Sequence, residues 1–502
     1  MQRISSTILT SHPLYSVATT RGIEQQAAAA LPPHTLMQRA GLATAKLTLA
    51  LAPHAQCIWI ACGPGNNGGD GFEAALHLHQ WGKSVTITWT GTSPGKTALP
   101  PDAQASFDRA MAAGLPITDQ PPAGFDFCLD ALLGIGAAPD LQRAGSEKMV
   151  QWLDAMRASA RPRLCIDVPT GLHADTGHLA DGVPSGSGKI FTLSLLTLKP
   201  GLFTAHGRDC AGEVWFDDLG VETIQPADAW LLGDDRVTSP SRSFAAHASH
   251  KGSFGDVAVM GGESTGSSHM AGAALLAARA ALHGGAGRVY VALLGESAIT
   301  VDPVQTELMF RNPDALHLKS LVVICGCGGG DMVRALLPKV LSTAPRLVLD
   351  ADALNVIATD SQLQTLLKAR HGRGYATVLT PHPLEAARLL DTTTAQVQAD
   401  RLKAATQLAQ TYQAVVVLKG SGTVIAAPGE TSCINPTGNA LLATAGTGDV
   451  LAGMVGAQLA GGQDAFKAGC SAVFAHGRLA DDWPARRGGQ NLTASGLFSA
   501  MN

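Results

Sequence analysis

Short apolar runs alternate along the chain with stretches in which apolar residues recur every three or four positions. That alternation predicts parallel strands joined by covering helices. In the first part, strands are expected at 56–62, 84–89, 126–133, 163–168 and 190–198, with helices near 72–80 and 147–159. In the second part, strands are expected at 256–260, 288–292, 321–325, 347–350, 377–379 and 414–418, with helices at 270–283, 396–411 and 449–460. Between the two parts lies the polar, proline-bearing stretch Val221-Glu-Thr-Ile-Gln-Pro-Ala-Asp228, so the chain is expected to divide into domains 1–228 and 229–502. The class is α/β, and no internal repeat is evident.

Composition narrows this picture. With 502 residues the chain is too long for one core, and with 46% apolar residues it has ample material for two. Charged residues reach 15% and the net charge is −4, so neither part has the basic excess that nucleic-acid binding requires. No apolar run approaches the ~18 residues of a membrane span. The start lacks a continuous apolar segment, so no signal peptide is expected. Nine scattered cysteines without a CxxC pair predict neither a disulfide framework nor a zinc site, and a cytoplasmic location. The 56 glycines cluster between apolar runs, where a backbone turns sharply or approaches a ligand.

Candidate chemistry falls at strand ends. The strand at 56–62 runs into Gly63-Pro-Gly-Asn66-Asn67-Gly68-Gly69-Asp70-Gly71, a loop whose amides, with the following helix N-terminus, suit a phosphate. A tight turn is the plain alternative. Asp130 and Asp167 close two further strands, the latter before Pro169-Thr170-Gly171. In a parallel sheet these ends share one crevice, which could take a phosphate with a monovalent or divalent cation. Separately, each aspartate could be a cap or turn residue. In the second part, Gly446-Thr-Gly448-Asp449 opens a helix, placing a carboxylate beside anion-binding amides, as a base next to a transferring phosphoryl group would need. Lys419-Gly420-Ser421-Gly422-Thr423 follows a strand and offers a cation plus amides to a nucleotide. Thr380-Pro-His382-Pro-Leu-Glu385 and Asp350-Ala-Asp352 follow others.

In this order the motifs resemble the bifunctional NAD(P)H-hydrate repair enzymes, over nearly the whole chain. The resemblance implies a Rossmann-like three-layer epimerase domain followed by a ribokinase-like α/β dehydratase domain that uses ADP. The substrates would be NADHX and NADPHX, reduced nicotinamide nucleotides that have added water. By resemblance, Asn66, Asn67, Gly68, Gly69 and Asp70 bind the hydrate, while Asn67, Asp130 and Thr170 hold K⁺. Gly134, Ile135, Gly136, Ala137, Ala138, Pro139 and Asp140 complete the first site with Asp167, the expected proton-transfer residue. In the second site Lys419, Gly420, Ser421, Gly422, Thr423 and Gly448 would hold ADP, with Mg²⁺. Ala273, Gly328, His382 and Asp449 would face the hydrate, Asp449 as catalytic base. A homo-oligomer is expected, with neither nucleic-acid nor membrane partners. The family usually has serine where this chain has Thr170, proline where it has Cys327, and glycine where it has Leu384. A ribokinase-like small-molecule kinase carrying a non-catalytic N-terminal binding module is the alternative.

Overall fold

The computed structural model describes residues 1–5, 10–92, 98–136, 141–142, 146–183, 187–237, 246–265, 268–297 and 299–501. Two compact units result. The first holds Met1–Ser5 and Pro13–Ala229; the second runs from Trp230 onward, with a short N-terminal stretch ending at His12. Each is an α/β unit built on its own sheet, as the alternating pattern predicts. No helix among the described residues is long and apolar enough to cross a membrane.

In the first unit the eight strands run Gln2–Ile4, Glu213–Asp217, Ile190–Leu195, Arg163–Ile166, Phe127–Ala131, Cys57–Cys62, Ser84–Trp89, Ile117–Thr118. All neighbours are parallel except the first pair. From Cys57–Cys62 the chain winds outward to one side and then returns to wind outward on the other. The sheet therefore changes direction between Cys57–Cys62 and Phe127–Ala131, the place where open α/β sheets bind ligands. Strands with both faces buried need apolar residues throughout, and Phe127–Ala131 is wholly buried with Asp130 inside it.

Two helices differ from expectation. Residues 66–71 are not loop: helix Asn66–Gln80 begins directly after Gly65. The glycines serve packing there, since a Cβ on Gly68 would lie 2.1 Å from the Gly63 carbonyl oxygen, and one on Gly69 would meet Ala103 and Met37. The segment at 396–411 is two helices, Thr394–Ala399 and Arg401–Tyr412. Asp400 leaves helical geometry between them, and its carboxylate caps the second by accepting from Lys403 N–H at 3.0 Å. Helices Val17–Ala30, Thr35–Leu51, Pro101–Ala112, Val333–Thr343 and Ala465–Asp481 are additional.

In the second unit the strands run Met309–Phe310, Arg288–Gly295, Asp256–Thr265, Val322–Cys325, Arg346–Leu349, Ala376–Leu379, Val415–Leu418, Val424–Ala426, Cys433–Ile434, Ala229–Leu231. The strands from Met309–Phe310 to Val415–Leu418 are parallel. This sheet changes direction between Asp256–Thr265 and Val322–Cys325. Helix Thr447–Ala460 is buried almost throughout and packs on helix Ala271–His283. A Cβ on Gly453 would stand 2.2 Å from the Ala277 carbonyl oxygen, so glycine there lets the two backbones approach.

Candidate active sites

At the turning point of the first sheet lies a cavity of about 610 Å³. Asn66, Asn67 and Asp70 line it from helix Asn66–Gln80, and Gly134, Ile135 and Gly136 from the loop after Phe127–Ala131. Asp167 enters from the end of Arg163–Ile166. Gly68 and Gly69 are not among the lining residues. Ala137, Ala138, Pro139 and Asp140 lie outside the described residues.

Asp167 has φ 66°, a left-handed conformation that costs a non-glycine residue free energy and concentrates at functional sites. Its N–H donates to the Leu193 carbonyl at 2.8 Å, and its carboxylate pairs with the ammonium of Lys199, which is completely buried. Lys199 also donates to the Leu195 carbonyl at 2.6 Å. Burial, and next the charge of Asp167, push the carboxyl of Asp70 well above its usual range. The same two causes raise Glu24, which lines the cavity from helix Val17–Ala30. Arg21 of that helix donates to the Gly136 carbonyl at 3.0 Å and so holds the loop.

Asp130 and Thr170, both buried and neither among the lining residues, meet each other. The Thr170 hydroxyl donates to Asp130 at 2.7 Å, and its N–H donates to the other carboxylate oxygen at 3.1 Å. Leu133 N–H reaches the Thr170 hydroxyl at 3.0 Å, while a Cβ on the adjoining Gly134 would stand 3.2 Å from the side-chain oxygen of Asn67. Both polar atoms at the end of the Asn67 side chain are buried without a hydrogen-bond partner. A buried amide left so is costly unless something else engages it.

In the second unit Gly446, with φ 88°, caps helix Thr447–Ala460, putting Asp449 in its first turn. The side-chain ligand atoms of Asp449, Asp350 and Cys327 lie within 4.8 Å of one another. Lys419 reaches Asp350 at 2.7 Å, and a Cβ on Gly448 would stand 3.4 Å from the Lys419 ammonium. Burial pulls Lys419 down, but the charges of Asp350 and Glu385 outweigh it and hold the ammonium above its ordinary range. Burial, with Asp350 close by, raises the carboxyl of Asp449 to about 7. Glu385 is likewise raised to about 7, burial being the main cause.

Around these groups stand the other expected residues. Ala273 and Gly328 adjoin, since a Cβ on the glycine would lie 2.9 Å from that of Ala273. His382 caps helix Pro383–Leu390, its ring accepting from Leu384 and Glu385 N–H at 3.1 and 3.3 Å. Burial and the neighbouring Lys419 lower its pKa. Gly420 and Thr423 belong to one turn, closed by the Thr423 hydroxyl on the Gly420 carbonyl at 3.1 Å; Ser421 and Gly422 fall between them. Buried Arg401 supports this turn from below, donating to the Leu418 and Lys419 carbonyls at 3.1 Å.

Lys199, Glu24 and Arg401 are additions to the residues read from sequence. Lys199 had a signal: it is a charge set between a long apolar strand and Pro200-Gly201.

Two α/β units, each with carboxylates and a lysine paired to one of them at the turning point of its sheet, define a chain with two enzyme-like sites. A family profile described as YjeF-related protein N-terminus matches residues 33–201, and one described as NAD(P)H-hydrate dehydratase matches 264–502. The bifunctional NAD(P)H-hydrate repair enzyme Nnr of Escherichia coli (strain K12) is 34% identical over 486 residues, covering 93% of this chain and 88% of the relative. The corresponding enzyme of Coxiella burnetii (strain RSA 493 / Nine Mile phase I) is 35% identical over 502 residues, covering 97% and 98%. The ADP-dependent (S)-NAD(P)H-hydrate dehydratase of Neisseria meningitidis serogroup B (strain ATCC BAA-335 / MC58) is 42% identical over 243 residues, covering 47% of this chain and 79% of its own. The chain belongs to the family of bifunctional NAD(P)H-hydrate repair enzymes.

Proposed function

We propose that residues 1–228 interconvert the R and S forms of NADHX and NADPHX, and that residues 229–502 dehydrate the S form with ADP, giving NADH or NADPH, AMP and phosphate. The observation that carries this reading is the pair of sites, each presenting a carboxylate at a sheet turning point in a chain of this family.

In the first site Asp167 exchanges the proton at the reacting centre, and inversion at the hydrated carbon requires no redox partner. Asn66, Asn67 and Asp70 meet the substrate from the helix N-terminus, and Gly134, Ile135 and Gly136 from the facing loop. The unpartnered side-chain oxygen of Asn67, with Asp130 and Thr170, is a hard-oxygen set that fits K⁺. A bound K⁺ would add positive charge next to the substrate's phosphates.

Hydroxide leaves poorly at neutral pH and phosphate leaves well, so the dehydratase reaction is read as kinase-like. Asp449 takes the proton from the hydrate hydroxyl, and that oxygen attacks the β-phosphate of ADP, releasing AMP. Elimination of phosphate then restores the dihydropyridine. A base with pKa about 7 suits the first of these steps. Lys419 and the amides of Gly446 and Gly448 stabilise the negative charge that builds on the phosphoryl group. Asp350 offers the oxygen ligands Mg²⁺ prefers, and the ion would supply further charge stabilisation there. Ala273, Gly328 and His382 border the hydrate, and Gly420, Ser421, Gly422 and Thr423 the nucleotide. The unpaired, mostly buried cysteines support a reducing, cytoplasmic setting. The near-balanced charge supports small molecules rather than nucleic acid as partners, and we expect a homo-oligomer.

Racemic NADHX mixed with the protein, Mg²⁺, K⁺ and ADP tests both halves at once through recovery of reduced-nicotinamide absorbance. Full recovery, faster than spontaneous epimerisation, is expected. Recovery stopping near half would remove the epimerase assignment. A stable phosphorylated product would make the second unit a small-molecule kinase.

A further inference from the structure

We propose that Lys199 is a positioning residue of the first site: its buried ammonium selects Asp167, rather than Asp70 or Glu24, as the ionised carboxylate of the cavity and fixes its direction. The proposal rests on the reading of Asp167 given above.

Asp167, Asp70 and Glu24 all line the one cavity. Three carboxylates cannot remain charged together at short range in a poorly solvated wall. Which one stays ionised depends on where a counter-charge sits. The Lys199 side chain is 1% exposed. Its three hydrogens have three partners: Asp167, the Leu195 carbonyl at 2.6 Å and the Ser194 hydroxyl at 3.5 Å. None is left to bond Asp70 or Glu24, so the ammonium reaches those two only through its charge, which offsets part of their rise.

The surroundings agree. Asp70 faces the cavity from helix Asn66–Gln80, and Glu24 and Arg21 from helix Val17–Ala30. Arg21 donates to the Ile135 and Gly136 carbonyls. Around Glu24 the positive charges of Lys199 and Arg21 oppose the rise set by burial and Asp167, and the negative charge of Asp102 adds to it. Burial and the charge of Asp167 raise the carboxyls of both Asp70 and Glu24, which favours a proton on each. Asp167 itself sits at φ 66°, and Leu195 N–H approaches its carboxylate at 3.4 Å, so backbone and ammonium together aim the side chain. Burying a lysine in a cavity wall is expensive unless paired, and here the pair falls on the residue expected to move the proton.

The test is the pH profile of R/S interconversion, read by separating the two forms, for the full chain and its Lys199→Met and Lys199→Arg variants. Lys199→Met should lower kcat at least about 100-fold, the scale of a lost acid–base group. With the ammonium gone, a proton becomes the remaining neutraliser for Asp167, so the acid limb should move to higher pH by about one unit or more. Lys199→Arg, which keeps the charge, should keep the limb in place. A Lys199→Met protein with the wild-type limb and only a lower melting temperature would overturn the proposal.

Should Lys199→Met fail to fold, the double variant Asp167→Asn/Lys199→Met removes both charges together and strands neither. Acting through Asp167, Lys199→Met should cost less than about threefold when added to Asp167→Asn. A larger further loss would overturn the proposal. Wild-type interconversion by Asp167→Asn alone would instead overturn the underlying assignment of Asp167, a separate and visible failure.

Discussion

Each site pairs one lysine with one of several carboxyl groups, and the two units use it in opposite ways. In the first, Lys199 is given to Asp167, the residue read as carrying the chemistry, and the bystanders Asp70 and Glu24 are pushed towards protonation. In the second, Lys419 is given to Asp350, and the residue read as the base, Asp449, is raised to about 7. A carboxylate can thus be made ready by pairing it, which fixes charge and direction. It can also be made ready by withholding the partner, which raises its proton affinity towards neutral pH, where a general base works best. Inverting one carbon needs a proton moved gently in both directions. Attack on a phosphate needs a group that takes the proton firmly and sits beside a cation already held for the developing charge.

Crossed variants test that division with the largest expected effects. Asp449→Asn should slow ADP-dependent dehydration of the S form about 10²- to 10⁴-fold, as removal of a general base does, and leave R/S interconversion intact. Asp167→Asn should do the reverse. Assaying pure S-NADHX for recovery and pure R-NADHX for racemisation separates the two. If either variant impaired both reactions, the two sites could not be treated as independent.

Lys419→Met should come next. Without the ammonium at 2.7 Å, Asp350 and Asp449 become like charges in a poorly solvated site, and one of them takes a proton. Dehydration at neutral pH should fall about 10- to 100-fold, and raising the pH should recover part of the loss. A variant equally slow at all pH values would mean that Lys419 acts on the phosphates and leaves the carboxylates unaffected.

Wild-type pH dependence should be milder. Asp449 must be deprotonated to act as base, and with a pKa raised to about 7 it binds its proton as pH falls through that value. Dehydratase kcat/KM should therefore be flat above about pH 8 and fall roughly tenfold per unit below about pH 6. A profile flat down to pH 5 would show that the base is ionised there and contradict the contrast with Asp167.

Much of the frame was legible because strand ends are written locally. The strand at 84–89 matches Ser84–Trp89 to the residue, since β-branched alternation between polar boundaries admits little else. Asp130, Asp167, Lys419 and Asp449 fall where strands stop or a helix starts, so their gathering at two sheet edges follows from the order of elements. Other features were not legible because they depend on distant contacts. The glycines at 68 and 69 read as loop, yet they are helix residues chosen by the Gly63 carbonyl, Met37 and Ala103. The charge at Lys199, between an apolar strand and Pro200-Gly201, marks the position, but that it is buried on Asp167 depends on a residue 32 positions away. The pairing of Lys419 with Asp350 spans 69 positions, and no local pattern reveals it.

The smallest effect sharpens the comparison most finely. Cys327 stands where relatives of this chain are expected to carry proline, and its thiol lies with Asp350 and Asp449 in one cluster. The thiol donates to Asp350 at 4.0 Å and also acts on Asp449, whose carboxyl it holds below where burial and Asp350 would otherwise put it. A thiol is a weak donor, so the stabilisation is small. Cys327→Ala should raise the acid limb of dehydration by about half a pH unit, some 0.7 kcal/mol, and lower the rate at pH 7 about twofold. Cys327→Ser keeps a donor at the same place and should return the limb to, or slightly below, the wild-type position. If both variants moved the limb equally, the change would stem from altered packing of the 326–330 loop against Asp350. The proton affinity of Asp449 would then be set by burial and charge alone, with no contribution from the thiol.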